Sequence, residues 1–205
     1  MIKLSHREQF TTFLNECDLT GKGIEIGVCS GKFSRHILDT WKGEKLYLVD
    51  AWRYFEGVKG FENANHNEHL QRFVETFQTT YFDFSRAVII KELSVDASLI
   101  FPDHYFDFVY IDAAHDYDNV SADLEAWFPK VKSGGLLAGH DYFDGDVHIR
   151  FVNERGEFVS DVVDSGHSDV KRAVDVFFSS MGMPVYSTDE NMSSGDDMPS
   201  WWVIK

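Results

Sequence analysis

A chain of 205 residues with 43% apolar side chains can bury one sizeable core, which excludes a disordered tract or a long linker. Its 34 acidic against 19 basic side chains leave a formal charge of −15, which argues against nucleic acid, polyphosphate and anionic membrane partners. A neutral or cationic small molecule suits that surface better. Two cysteines, Cys17 and Cys29, are too few for a disulfide framework and read as reduced thiols. The first ten residues lack the apolar run of a signal peptide, and no stretch approaches the ~20 apolar residues that span a bilayer. The expectation is a soluble cytoplasmic protein, with a homo-oligomer left open.

Ser5 and Glu8 have capping-box spacing, and Phe10, Phe13, Leu14 and Cys17 recur at helical intervals, which predicts an opening helix within residues 1–20. Short apolar runs then alternate with amphipathic segments. Strands are predicted at Gly23 to Val28, Lys45 to Val49, Ala87 to Ile90, Phe106 to Ile111 and Leu136 to Gly139. Helices are predicted on Phe33 to Leu38, His66 to Thr79, around Ala97, on Tyr117 to Trp127, and from Val170 to Phe177 with Ser168 as N-cap. Two last strands, Pro184 to Ser187 and Trp201 to Ile204, flank a polar loop. This pattern predicts an α/β, Rossmann-like doubly wound sheet of seven strands, mostly parallel with an antiparallel final strand, in a single domain over 1–205. Residues 142–167 separate the fifth strand from its helix by far more than an ordinary loop. Within them "VHIRFVN", "ERG" and "EFVSDVV" read as a hairpin insertion, a candidate lid over the acceptor.

In an open α/β sheet, ligands bind beyond the carboxyl ends of the strands, where strand order reverses. Each predicted strand ends in small or polar residues: Gly27 to Gly31, Asp50, Ser94 with Asp96, Asp112, and His140 with Asp141. In "GIEIGVCSGKF" the spacing is Glu25-x-Gly27-x-x-x-Gly31, not the Gly-x-Gly-x-x-Gly of a dinucleotide site, which disfavours an NAD-dependent oxidoreductase. Gly27 leaves room for a ligand, Ser30 and Gly31 open a helix whose N–H groups favour negative charge, and Glu25 lies near the strand end to accept from an ammonium or an amide. Asp50 suits a ribose diol, and Trp52 either stacks on a base or covers the core.

These spacings resemble motif I and the following acid of class I S-adenosylmethionine-dependent methyltransferases, with Cys29 in place of the usual middle glycine. The stretch "FDFVYIDAAHDYDNVSADLEAWFPKVKSGGLLAGHDYFD" is similar to small bacterial methyltransferases related to macrolide-sugar O-methyltransferases and cephalosporin-hydroxylase-like proteins. "DVKRAVDVFF" and "PSWWVIK" match the same group as its last crossover helix and final strand. The resemblance implies S-adenosylmethionine as cofactor. Glu25, Gly27, Ser30 and Gly31 would hold its amino-acid end, Asp50 its ribose, and Ser94 with Val95 or Asp96 its adenine, with Asp112 also in the cofactor site. It further implies O-methylation of a small hydroxylated acceptor, a sugar or natural-product intermediate. The alternative is a non-catalytic nucleoside-binding protein on the same fold.

An alcohol is barely ionised at neutral pH, so its methylation needs a base or a metal. In the macrolide-sugar relatives, residues matching Asp112, His140 and Asp141 bind a divalent cation, but here His140 stands where they carry a carboxylate. That disfavours magnesium, leaves a softer divalent metal open, and makes the metal-free site the preferred reading. The metal-free version makes His140 the base, oriented by Asp141 or Asp112, with His115 as its competitor. Tyr117, Trp127, Trp201 and Trp202 read as core, His66 and His69 as solvated at a polar helix start, and Cys29 as a small packing residue.

Overall fold

The computed structural model describes residues 4–55, 64–152, 158–188 and 198–205. Five strands run parallel: β1 (Lys22–Ile26), β2 (Lys45–Asp50), β3 (Ala87–Lys91), β4 (Phe106–Ile111) and β5 (Val131–Gly139). The hairpin strands β6 (Gly145–Val152) and β7 (Phe158–Ser168) pair antiparallel in a sheet of their own. The chain then returns to the main sheet through β8 (Tyr186–Ser187) and β9 (Trp201–Ile204), β9 lying antiparallel to β5. The seven strands stand in the order β3-β2-β1-β4-β5-β9-β8. The order reverses between β1 and β4, which opens a crevice at their carboxyl ends.

A sheet covered on both faces needs apolar residues on both, and β4 (Phe-Asp-Phe-Val-Tyr-Ile) is buried at all six positions. On one face Ile24, Ile26, Val109, Leu137 and Trp127 pack beneath α4 (Ser94–Ser98), α5 (Tyr117–Trp127) and α6 (Val170–Ser179). On the other, Phe108, Tyr110 and Leu48 meet Phe10 and Leu14 of α1 (Phe10–Glu16) and Ile37 and Leu38 of α2 (Lys32–Thr40). Trp127, Trp201 and Trp202 are buried in these clusters, and Tyr117 is partly so.

Three local expectations are corrected. Ser5 does not box with Glu8; its N–H bonds Gln9 Oε1 at 2.8 Å, and His6 Nδ1 accepts the Glu8 N–H instead, at the head of a 3₁₀ turn that precedes α1. β5 begins at Val131, because Ser133 and Gly134 form an irregularity within the β4–β5 ladder rather than a turn before it. Ser168 accepts the Val170 N–H at 3.2 Å although it stands one residue before the cap position.

Helix α3 (His66–Thr80) starts with a full capping box between Asn65 and Glu68. It faces the protein the unusual way round. Its buried residues are His69, Thr76 and Thr80, whereas Leu70, Val74, Phe77 and, in the turn that follows, Tyr81 are exposed. Phe73 packs against the core on the inner face, and the polar remainder of that face is explained by its contacts: Thr76 donates to the Cys29 carbonyl at 3.1 Å, and the Arg35 guanidinium reaches the Thr79 carbonyl at 3.1 Å.

Candidate active site

Beyond the ends of β1, β2 and β4 lies a cavity of about 510 Å³, walled by Gly27, Cys29, Asp50, Trp52, His69, Arg72, Ser94, Val95, Asp112, His115, Asn119 and Asp123 among others. Gly27 is in the left-handed region (φ 85°), and a Cβ built there would land on the Asp112 carbonyl. The neighbouring β4 loop therefore requires the glycine on its own account, and Gly27 also lines the cavity. Cys29 and Trp52 are non-glycine residues with positive φ, as is Asp141 at the end of β5. Such backbone costs about 1–3 kcal/mol each and clusters where geometry is held for function.

Asp50 ties these loops together. Its Oδ2 accepts the Cys29 N–H at 2.9 Å and its Oδ1 the Trp52 N–H at 2.7 Å. Burial pushes its pKa up, against those two backbone hydrogen bonds. Each oxygen keeps a further lone pair for a donor in the cavity. Trp52 lies with its indole against Phe73 (centroids 5.0 Å apart) and its N–H on the Cys29 carbonyl at 2.7 Å. It therefore both seals the core and walls the cavity. The Cys29 side chain is exposed rather than packed; its backbone carries the contacts.

Glu25, Ser30 and Gly31 are not among the cavity walls. Glu25 points to the other face of β1, where Ser34 of α2 donates to its Oε2. Burial raises its pKa to about 8 despite that bond, with Asp112 adding to the rise. Gly31 turns α2 against Thr76 of α3, with its own N–H on the Val28 carbonyl at 3.0 Å.

At the opposite end Asp96 lines the cavity from an exposed position, and a second acid, Asp123 of α5, faces it from a buried one, 4% exposed. Trp127 Nε1–H donates to Ser94 Oγ at 2.9 Å, and Ser94 Oγ–H donates to Asp123 Oδ1. Among the described residues Oδ2 has no hydrogen-bond partner and it is not sealed from the cavity. Burial lifts the Asp123 pKa to about 6, against the Ser94 bond. His69 is likewise buried at the cavity wall, 9% exposed, which corrects its assignment as solvated.

Two imidazoles converge on one oxygen. His115 Nε2 lies 3.0 Å and His140 Nδ1 3.2 Å from Asp141 Oδ2. His140 Nδ1 is also 3.8 Å from Asp112 Oδ1, and Arg7 Nη1 is 3.4 Å from Asp112 Oδ2. Burial opposes the Asp141 charge, but both imidazoles hydrogen-bond to it and hold its carboxyl well below the usual range. The bond to Asp141 holds the His115 imidazole above its ordinary value despite partial burial. Burial pushes Asp112 up, with the His140 charge opposing. The decisive difference is access: His115 lines the cavity with 42% of its side chain exposed, whereas His140 is 9% exposed and stands outside its walls. Ligand atoms of Asp112, His115 and Asp141 all lie within 4.8 Å of one another. Among the described residues this group, with His115 in it, has the spacing to hold a cation, and its nitrogen suits a softer divalent metal better than magnesium.

The sheet order, the glycine loop at the switch point and the acid ending β2 are those of the class I S-adenosylmethionine-dependent methyltransferase fold. A family model described as a methyltransferase domain matches residues 24–142, and the chain belongs to that family. The uncharacterized protein y4gI of Sinorhizobium fredii (strain NBRC 101917 / NGR234) is 28% identical over 98 residues, 47% of this chain and 10% of that protein. This chain thus matches a tenth of that relative's length. An O-methyltransferase from Bacillus cereus in complex with SAH superimposes with a TM-score of 0.60 over 97% of this chain and 80% of its own, at 17% identity. Spermidine synthase from Thermotoga maritima superimposes with a TM-score of 0.56 over 96% of this chain and 59% of its own, at 15% identity. At these identities the likeness is one of fold, and differently named enzymes share it, so the acceptor has to be argued from the site. Among the described residues no helix is long and apolar enough to cross a membrane.

Proposed function

We propose that this chain methylates a hydroxyl group of a small acceptor, of the sugar or natural-product class that its sequence resemblance implies. The observation that carries this is one cavity whose walls run from Asp50 through Ser94 and Asp123 to His115. A diol acceptor, an amino-group acceptor and a proton acceptor surround a single space. S-adenosylmethionine supplies a methyl group already activated by its sulfonium. The chain's task is therefore alignment, worth about 7–11 kcal/mol in ideal cases, and removal of the acceptor's proton.

Asp50 binds the ribose hydroxyls with the lone pairs that Cys29 and Trp52 leave free. Ser94 and Asp123 would hold the adenine, the buried Asp123 offering Oδ2 to its amino group while Asp96 lines the same end of the cavity from its exposed side. Glu25, Ser30 and Gly31 act by shaping the loop around Gly27. His115 takes the acceptor's proton, a contribution of about 10²–10⁴ in rate for a well-placed base. Asp141 orients that imidazole and stabilises its cation, and His140, itself beside Asp112, holds Asp141 in place. The β6–β7 hairpin starts at Gly145, shortly after Asp141, and ends at Ser168, next to Asp169, whose N–H bonds the His115 carbonyl at 2.8 Å. Its two roots thus meet the catalytic loops, which supports its role as the acceptor lid.

Calorimetric titration with S-adenosylhomocysteine tests the reading. The expected result is micromolar binding by the wild type, at least tenfold weaker binding by Asp50→Ala, and no change on treatment with a chelator. A wild type that binds nothing refutes the assignment, and loss of binding with chelator transfers Asp112, His115 and Asp141 to a cation site.

A further inference from the structure

Helices at a protein surface turn their apolar stripe inward, but of its large apolar residues α3 keeps Phe73 alone against the core and turns the others outward. Leu70, Val74, Phe77 and Tyr81 follow one another at helical intervals on its outer side, and Phe82 and Phe84 extend the row toward the start of β3. Their exposures are 48, 44, 53, 56, 88 and 80%. The rings form a continuous surface: Phe77 to Tyr81 is 5.9 Å between centroids and Tyr81 to Phe82 5.4 Å. At roughly 200 Å² per aromatic side chain, the four rings leave about 550 Å² of apolar area in water, and Leu70 and Val74 bring it to about 700 Å². That exceeds the ~300–600 Å² of the largest patch on an ordinary monomer.

We propose that this face is a dimer interface and that its occupant is a second copy of the same chain. The area is close to the ~800 Å² that each partner contributes to a stable interface. None of the six residues is charged, while the chain carries −15; a partner recognised by charge finds nothing there to pair with, and an apolar strip matched to itself does. A two-fold axis, required of a closed pair, fits the topology. Among the described residues β3 is the outermost strand of the sheet, paired with β2 alone. Its Ala87 to Ile90 are merely half-buried at that edge. An axis normal to the sheet at this edge sets β3 antiparallel to its copy and lays the two α3 stripes along each other on one face.

Sedimentation of the wild type from 1 to 100 μM, beside a Phe77→Ser/Phe82→Ser variant, tests this. These side chains touch little in the monomer, so the variant is expected to keep its circular dichroism spectrum and S-adenosylhomocysteine affinity. The expected masses are two chains for the wild type and one for the variant at the same concentration. A wild type that stays monomeric to 100 μM, or a variant as dimeric as the wild type, overturns the proposal. Hydrogen exchange of the unaltered chain gives the second check: amides of residues 70–84 are expected to slow as concentration rises, and rates independent of concentration overturn it without any mutation.

Discussion

Replacing Asp123 by Asn inverts one hydrogen bond without changing the shape of the site. In the wild type the Ser94 hydroxyl occupies Oδ1 and leaves Oδ2 to the cavity as a pure acceptor. The asparagine amide satisfies Ser94 through its own oxygen, so its NH₂ turns to the cavity and meets the 6-amino group of adenine donor to donor. A hydrogen bond to a charged acceptor contributes about 1.5–3 kcal/mol, so S-adenosylhomocysteine should bind Asp123→Asn roughly 10- to 100-fold more weakly. Its 6-oxo analogue, S-inosylhomocysteine, presents an acceptor there and should bind the variant better than the wild type, reversing the ranking. Calorimetry at pH 8 is the assay, since Asp123, with its pKa raised to about 6, is then ionised. The Trp127–Ser94 chain survives the change, so melting temperature should be nearly unaltered. Equal affinity of the wild type for both ligands, or an unchanged ranking in the variant, would refute Asp123 as the reader of the base, whereas failure of both proteins to bind either ligand would refute the cofactor site itself.

Glu25 titrates from an ordinary 4.5 up to about 8 in the folded chain, so the stability tied to its proton is full below about 4.5 and lost as pH rises through 8. Glu25→Gln keeps an acceptor for Ser34 and has no proton to lose. Its stability relative to wild type should therefore grow between pH 5 and 9, by on the order of 4 kcal/mol at ~1.4 kcal/mol per pH unit; parallel denaturant melts at the two pH values would exclude a buried carboxyl. For His115, NMR titration should find a midpoint above 6.5 that falls in Asp141→Asn, because the hydrogen bond to Asp141 is the chief cause of the rise. An unmoved midpoint would break the link between the two residues. With His115 as base, activity should rise as pH climbs through that midpoint, since only the neutral imidazole accepts a proton.

The sequence by itself determined the α/β alternation and which residues stand at strand ends, because parallel strands and their crossover helices are written in local apolar periods. Phe106 to Ile111 and Tyr117 to Trp127 were legible to the residue, and Asp50, Asp112 and Asp141 followed as the polar residues that terminate apolar runs. Which side those residues face was not legible. Both faces of a parallel sheet are covered, so alternation does not reveal that Glu25 looks toward Ser34 rather than the cavity. Asp123 reads as a polar helix residue until α4 and α5 pack together and leave it beside Ser94. Two histidines beside two acids look equivalent in sequence; the packing of β5 against β4 buries His140, and the loop after β4 opens His115 to the cavity. On α3 the local pattern even misleads, since its apolar stripe turns outward and its threonines inward. Local periodicity records how much apolar surface a segment carries, while tertiary contacts decide which neighbour, or which second chain, covers it.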